Sequence, residues 1–320
     1  MNSIRESIKP VIKEARHVSV DNEALRVFAD SLPPKYLHQD KWPTQPLPTA
    51  HDQKDYVAYL ILYVTTLPNT WGEPKWGLTI NGKALGGSAS IDAALRAALD
   101  EGYPLLDPSY LASMPEADLQ KILLSNVEIP LLLERLTNLH ILGKQVQEKF
   151  AGSFWNVLEE GNFSALGIVE VLTTNFPSLF HDEAQYHSYT VTFHKLARVV
   201  SSMLMKMHYA DILKPTITGE EELTALADYK VPQSLHKLGL IRYTPELTQK
   251  LRDKVEFPYG SDEEIEIRAF TIHAIDEVVR LAKTRLPQAN AIRIDKALWL
   301  LSQKPSPDDL PHHRTRTLWY

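Results

Sequence analysis

Long amphipathic segments run through most of this chain of 320 residues and indicate a mainly α-helical fold. Residues 130–150 and 192–208 carry apolar side chains at spacings of three and four, which places those side chains on one face of a helix. Ser90 opens an alanine-rich stretch that Gly102 can end in the left-handed conformation. We therefore expect packed helices to form the body of the protein.

Two further helix starts show the Ser-x-x-Glu pattern of a capping box. Ser113 and Glu116 form the first, with a proline between them that suits a first helical turn. Ser261 and Glu264 form the second, and the long helix after them ends in basic residues, as the helix dipole favours. We expect each serine side chain to cap its helix.

One region departs from the helical pattern. Residues 57–64 (VAYLILYV) are rich in β-branched and aromatic side chains, and the two short runs after them are joined by Asn81 and Gly82, a typical type I′ hairpin turn. We expect a small antiparallel β-sheet inserted at about 57–86, preceded by a proline-rich loop at 42–48.

The chain is expected to form one compact domain over residues 1–320. Its 44% hydrophobic and 23% charged residues are those of an ordinary globular protein, and its length is enough to bury a sizeable core. The polar and aperiodic stretch at 180–190 is where two lobes would divide.

Composition excludes several kinds of site and partner. The absence of cysteine excludes thiolate zinc sites, disulfides and cysteine nucleophiles, and is compatible with a reducing compartment. With 34 Lys and Arg against 40 Asp and Glu the net charge is −6, so a bound phosphate must be met by a local cluster of cations. Residues 1–17 lack the apolar core of a secretory signal, and 57–64 is too short to span a bilayer. We expect a cytoplasmic protein that binds neither membrane nor nucleic acid directly.

The run LADYKVPQ at 226–233 is expected to join two short helices. The residues before it, 220–226, have helical character, and Pro232 suits the first turn of a second helix that Gly239 ends. Val231 stands before a proline, so we expect it outside the α region.

Asp228 falls at that junction, where irregular backbone lets a carboxylate point into a cleft. The alternative, which spacing alone favours, is that Asp228 only caps the second helix or a turn. Asp295 and Trp299 lie one helical turn apart and so share a face. A carboxylate beside an indole can hold a flat heterocycle, although an apolar stripe of this kind more often packs in the core.

Lys195, Arg198 and Arg268 can form a local phosphate cluster. The alternative is that they lie on solvated faces or pair with Glu264 and Glu266. The sequence contains no P-loop, zincin or nucleophile-elbow motif, and the spacings of its histidines do not suit a shared ion. We therefore expect no metal site.

In their order and spacing these stretches resemble the queuosine salvage family, the queuosine 5′-phosphate N-glycosylase/hydrolases. The resemblance covers nearly the whole chain and is carried by the runs AALRAALDEG, IPLLLER, LGKQVQEKFAGSFWNVL, TFHKLA, LADYKVPQSLHKLG, YGSDEEIEIRA, IDKALW and HHRTRTLWY. It implies a largely helical fold similar to that of DNA glycosylases. It also implies hydrolysis of the N-glycosidic bond of queuosine 5′-monophosphate, which releases the 7-deazaguanine base queuine for reuse in tRNA modification.

The resemblance further implies which residues form the site. The family's catalytic aspartate falls on Asp228, and Lys195 is the family-matched candidate for the 5′-phosphate. The residues expected to bind substrate are Leu226, Tyr229, Asp295, Trp299, Lys195 and Trp71. A carboxylate beside the anomeric carbon can stabilise an oxocarbenium-like ribosyl cation, activate water or attack covalently, and these three roles stay open. None of them requires a metal or an organic cofactor.

The chain departs from the family pattern at several polar or aromatic positions. In this chain those positions are occupied by Val64, Leu67, Pro68, Ser88, Ala89 and Leu300, and the family's histidine falls on or near Pro46. Two alternatives therefore accompany hydrolysis of queuosine 5′-monophosphate. One is N-glycoside hydrolysis of a different modified nucleoside or nucleotide, and the other is a non-catalytic protein that binds a base or nucleoside.

Overall fold

The computed structural model describes residues 4–37, 52–80, 82–303 and 306–320 and confirms a mainly α-helical fold. The helices, in chain order, are α1 (Ile4–Glu14), α2 (Asn22–Ser31), α3 (Gln53–Thr66), α4 (Ser88–Asp100), α5 (Pro108–Ala112), α6 (Glu116–Ile122), α7 (Leu132–Lys149), α8 (Trp155–Glu160), α9 (Ala165–Asn175), α10 (Pro177–Phe180), α11 (Lys195–Tyr209), α12 (Lys230–Lys237), α13 (Pro245–Arg252), α14 (Asp262–Ala282) and α15 (Ala291–Ser302). Turns of 3₁₀ helix lie at Pro34–Leu37 and Glu220–Glu222.

The strands are short and pair in twos. They are β1 (Val18–Val20), β2 (Thr79–Ile80), β3 (Lys83–Ala84), β4 (Glu183–Tyr186), β5 (Tyr189–Thr192) and β6 (Ile241–Tyr243). Among the described residues β1 pairs with β6, β2 with β3 and β4 with β5, each pair antiparallel. Ser19 faces Arg242 across the first pair, which joins chain segments more than 200 residues apart.

The chain divides into two compact units. The first consists of Met1–Lys41, Asp182–Lys195 and Gly219–Arg316, and the second of Trp42–His181, Leu196–Thr218 and Thr317–Tyr320. One boundary falls inside the polar stretch 180–190. That residues 1–320 form a single domain stays a prediction.

Helix α14 lies at the centre of the first unit. Its Ile265, Ile272, Ile275 and Val278 are fully buried, and α1, α2, α12 and α15 pack against it. A helix that neighbours cover on several faces buries polar as well as apolar side chains, and each buried charge then needs a partner. In α14 the buried side chains of Glu264 and Arg268 are such partners and form an ion pair in the interior of the unit.

The predicted strand at 57–64 is wrong, because these residues form most of helix α3. Asp52 caps the helix by accepting the backbone N–H groups of Lys54 (2.6 Å) and Asp55 (3.3 Å). Every residue from Val57 to Thr66 is buried. A helix that is covered on all sides shows no amphipathic period, so its sequence is easily mistaken for that of a buried strand.

The predicted hairpin is confirmed at β2 and β3, where Gly82 has a φ of 75°. Asn81 and the predicted loop at 42–48 lie outside the described residues. The helices predicted at 130–150 and 192–208 are confirmed as α7 and α11. In the part of the chain that the structure describes, no helix is both long enough and apolar enough to cross a membrane.

The predicted cap at Ser113 is wrong. Helix α6 begins at Glu116 directly after Pro115, without a side-chain cap. Helix α5 ends at Ala112, and the Ser113 hydroxyl donates back to the Ser109 carbonyl of that helix at 3.2 Å. The hydroxyl is therefore engaged one helix earlier than the pattern indicates.

Ser261 does precede helix α14, but its hydroxyl forms no capping bond. Glu264 instead accepts the N–H of Gly260 at 3.2 Å, one residue before the position that a capping box requires. The other oxygen of Glu264 lies 3.2 Å from the guanidinium of Arg268, one turn further along the helix. This buried ion pair turns the carboxylate away from the box geometry.

Candidate active site

The chain reaches Asp228 as irregular backbone. The prediction of a helix over 220–226 is wrong beyond one 3₁₀ turn, which the chain leaves in an extended conformation at Leu223. Leu223, Ala225 and Ala227 are buried in the first unit, and this packing overrides their helical propensity.

Helix α12 begins at Lys230, so the prediction that Val231 lies outside a helix is wrong. The N–H groups of Lys230 and Val231 both donate to Asp228 Oδ1, at 2.7 and 3.1 Å. These two bonds hold the first turn and offset the usual restriction before Pro232, whose missing N–H costs nothing at this position. Gly239 ends the helix with a φ of 71°, as predicted.

The two oxygens of Asp228 differ in their surroundings. Oδ1 accepts the two N–H groups of α12, so the capping role that spacing favoured is confirmed for this atom. Oδ2 has no hydrogen-bond partner among the described residues, and the side chain is half-buried. The cap thus fixes the orientation of the carboxylate and leaves its second oxygen for a ligand.

Lys195, the first residue of α11, places a buried ammonium group near Asp228. The side chain is 6% exposed, and burial lowers the pKa of the ammonium group. The carboxylates of Asp228 and then Asp295 oppose this shift more strongly than any other group. Within the described ranges the ammonium group forms no ion pair, so the three charges share one neighbourhood without a direct contact to Lys195.

Helix α15 supplies Asp295 and, one turn later, Trp299. Asp295 is 4% exposed, and its Oδ2 accepts the backbone N–H of Leu226 at 2.8 Å. The half-buried Trp299 packs against the core of the first unit. Asp295 therefore holds the backbone two residues before Asp228, which the sequence did not indicate.

The side chain of Tyr229 contacts a histidine from the C-terminal segment. The rings of Tyr229 and His312 lie 4.6 Å apart with planes inclined by 35°. Gln233 of α12 donates to the Leu310 carbonyl at 2.8 Å and ties the same segment to the helix. Sequence spacing gave no signal for this contact, because the two rings are separated by more than 80 residues.

Arg268 is not available to a phosphate, so its predicted place in a phosphate cluster is wrong. It is fully buried and pairs with Asp182 and with Glu264. The alternative pairing with Glu264 is thus confirmed. Glu266, the other proposed partner, binds the backbone N–H groups of residues 16–18 and the hydroxyl of Tyr186.

Trp71 and Arg198 belong to the second unit, where both are buried. A substrate contact of Trp71 stays a prediction. Val64, which replaces a polar residue of the family pattern, is buried within α3. Leu300, which replaces an acidic one, is 44% exposed on α15.

Comparison with known proteins supports the resemblance seen in the sequence. Residues 48–320 match the model of a family described as queuosine salvage protein. A protein of Sphaerobacter thermophilus is 36% identical over 311 residues, which cover 97% of this chain and 95% of that protein. It is named queuosine 5′-phosphate N-glycosylase/hydrolase.

Eukaryotic proteins with the same name match at lower identity. The Mus musculus protein is 28% identical over 342 residues, covering 99% of this chain and 98% of its own length. The Schizosaccharomyces pombe protein is 26% identical over 264 residues, covering 77% and 75%. The similarity thus extends over the described parts of both units.

Proposed function

The chain belongs to the queuosine salvage protein family, and from that premise we propose that it hydrolyses the N-glycosidic bond of queuosine 5′-monophosphate and releases queuine. The names of its relatives support this substrate. The observation that carries the proposal is the state of Asp228: one oxygen is fixed by helix α12, and the other has no hydrogen-bond partner within the described residues.

Cleavage of the bond between C1′ and the base nitrogen develops positive charge on the ribose, as in glycoside hydrolysis generally. A carboxylate fixed beside C1′ stabilises this charge without reorienting during the reaction, which is the usual source of large electrostatic rate effects. Asp228 is the residue in this role. The same oxygen can instead activate the attacking water or attack C1′, and each of these roles requires the Asp228 carboxylate.

The surrounding residues have separate roles in the proposal. Lys195 brings the positive charge that a 5′-phosphate requires, and it also offsets the carboxylates of Asp228 and Asp295. Leu226, Tyr229 and Trp299 are proposed to contact the base and the ribose. Asp295 accepts N–H donors of the guanine-like edge with the carboxylate that also holds Leu226.

The protein is proposed to act on the free nucleotide in the cytoplasm. A net charge of −6 does not favour binding along an RNA strand, and the absence of cysteine is compatible with a reducing compartment. Water supplies the oxygen that bonds to C1′ and the proton that the leaving base takes, so the proposed step uses no oxidant, metal or organic cofactor.

A second substrate is favoured by one specific observation. Val64 is buried and Leu300 exposed at positions where the family pattern has acidic residues. A site that loses hydrogen-bonding groups discriminates less well between bases that differ in their polar substituents. N-glycoside hydrolysis of another modified nucleotide is therefore the second candidate function.

The test is to incubate the purified protein with queuosine 5′-monophosphate and to follow free queuine by chromatography. Unphosphorylated queuosine and guanosine 5′-monophosphate are run in parallel under the same conditions. We expect release of queuine from the nucleotide, much slower release from the nucleoside, and no guanine.

The outcomes separate the candidate functions. Complete absence of base release from queuosine 5′-monophosphate would refute the proposed substrate. Release from other modified nucleotides alone would support the second candidate, and tight binding of queuine without any turnover would support a non-catalytic binding protein.

A further inference from the structure

We propose that Arg268 is a positioning residue for the reaction, because its guanidinium, paired with Asp182, holds the backbone next to both Asp228 and Lys195. This inference rests on the proposed function. The residues that carry it all belong to the first unit, and neither Arg268 nor Asp182 is assigned to the substrate.

Arg268 reaches the Asp228 segment through one direct hydrogen bond. Its Nε donates to the carbonyl oxygen of Ala227 at 3.2 Å, one residue before Asp228. One residue earlier along the chain, Asp295 accepts the N–H of Leu226 at 2.8 Å. Side chains of α14 and α15 thus bind the backbone of the consecutive residues Leu226 and Ala227, and Asp228 directly follows them.

Asp182 connects the same guanidinium to Lys195. Its carboxylate pairs with Arg268, and its Oδ2 lies within 3.4 Å of the Lys195 backbone N–H. The Asp182 carbonyl accepts the N–H groups of Phe193 at 2.9 Å and His194 at 3.2 Å. Asp182 therefore binds three successive N–H groups at the start of α11, the helix that presents Lys195.

The guanidinium has little freedom to move. Besides Asp182 and Ala227 it binds Glu264 at 3.2 Å, and its central carbon lies 3.8 Å from the centre of the Phe193 ring. It is fully buried. Arginine suits this position because its planar fork can satisfy several acceptors at once, which a lysine ammonium group in its place cannot.

A structural ion pair and a positioning residue differ in what their loss changes. An ion pair that only stabilises the fold affects the unfolding midpoint, and the folded molecules that remain keep their turnover. A misplacement of about 1 Å at a reacting group can lower the rate roughly 10²-fold. The kcat of the folded protein is therefore the deciding quantity.

The mildest test is Tyr259→Phe. The single proton of the Tyr259 hydroxyl is shared between Asp182 Oδ1 at 2.9 Å and the Glu183 carbonyl oxygen at 2.8 Å, so removal of the hydroxyl loosens Asp182 without removing a charge. Tyr186→Phe is the matched control. The buried Tyr186 hydroxyl donates at 3.0 Å to the buried carboxylate of Glu266, which lies on α14 like Arg268. That carboxylate binds the backbone N–H groups of residues 16–18, not the segment before Asp228. Base release from queuosine 5′-monophosphate gives kcat and KM, and thermal unfolding gives the midpoint.

We expect Tyr259→Phe to lower kcat roughly tenfold and to keep KM within about twofold of the wild type. We expect Tyr186→Phe to lower the thermal midpoint by a comparable amount but to leave kcat unchanged.

Arg268→Lys keeps the charge but cannot reach Ala227, Asp182 and Glu264 together, and is expected to lower kcat roughly a hundredfold. Where Arg268→Lys does not fold, Tyr259→Phe decides alone.

The inference is overturned if folded Tyr259→Phe retains the wild-type kcat, or if Tyr186→Phe loses as much. Both results require that the wild type releases queuine. A wild type that releases no base from this nucleotide refutes the proposed function instead, so the two failures are distinguishable.

Discussion

We propose that Asp228 performs two tasks with two different oxygens. Oδ1 accepts the N–H groups of the first turn of α12, and Oδ2, which has no hydrogen-bond partner among the described residues, is proposed to face the substrate. A capping aspartate on a surface helix has freedom to rotate, whereas here the backbone before it is held as well, by Asp295 at Leu226 and by Arg268 at Ala227. Preorganisation of this kind is what makes a single carboxylate effective against a developing positive charge.

Lys195 makes the pH dependence of the reaction testable. Burial lowers the pKa of its ammonium group, so the charge is lost at a pH below the usual value near 10.4. If substrate binding needs this charge, kcat/KM falls as the pH rises through the lowered pKa. The expected alkaline limb therefore lies at a lower pH than for an ordinary lysine, and Lys195→Arg shifts it upward because guanidinium stays charged. The measurement is the pH profile of kcat/KM for both proteins.

The same shift has a defined sign for stability. Between the lowered pKa and the ordinary one, the unfolded chain binds a proton at Lys195 that the folded chain does not. The contribution of Lys195 to the free energy of unfolding therefore rises with pH across that window. For the pH profile of kcat/KM, an alkaline fall at the same pH in Lys195→Arg as in the wild type would contradict the assignment of that fall to Lys195.

The sequence offers candidate site residues but not the contacts that arrange them. Asp228, Asp295 and Lys195 are indicated by the motifs they stand in, but the bond from Asp295 to Leu226 joins residues 69 positions apart. Contacts of this range depend on how α14 and α15 pack, and no local pattern records that packing. For the same reason the sequence left Arg268 open between a phosphate cluster and a pair with Glu264, and nothing in its neighbours along the chain reveals Asp182.

At the scale of elements, helix α3 shows how burial hides a helix from its sequence. An amphipathic helix such as α7 has a polar face that reveals its period, and α7 was predicted from that period. Helix α3 is buried from Val57 to Thr66, so only its length and its cap at Asp52 distinguish it from a strand. Both signals are weaker than β-branched composition.

Helix α3 ends against a buried arginine of α7, which makes a second prediction testable. Arg135 is fully buried and donates to the carbonyls of Thr66, Pro68, Asn69 and Pro130. Arg135→Met removes the donor of these four hydrogen bonds, at about 1–3 kcal/mol for each acceptor that stays buried and unpaired. We expect the free energy of unfolding to fall by about 3 kcal/mol or more, as measured by denaturant titration.

Lys144→Met on the same helix is the control. Lys144 is 67% exposed and lies 3.8 Å from Glu148, so its replacement is expected to change the free energy of unfolding by no more than about 0.5 kcal/mol. Equal effects of the two substitutions would contradict the role of Arg135 at the end of α3.

At the scale of the whole molecule, family membership could be predicted from the order of many short runs, none of which is decisive alone. These runs extend over the described parts of both compact units, from α4 to the C-terminal segment, so their order identifies the family although each run is short. The division into units could be located only at 180–190, where the pattern becomes polar. The return of the chain to the first unit at Gly219 has no comparable signal in the sequence.

The central claim is that the negative charge of Asp228 drives base release, and single-turnover hydrolysis of queuosine 5′-monophosphate by wild type and Asp228→Asn tests it directly. Asparagine keeps an oxygen that can cap α12, so the thermal midpoint is expected to stay close to that of the wild type. The rate of queuine release is expected to fall at least about 10²-fold. Release at the wild-type rate by folded Asp228→Asn would contradict the claim.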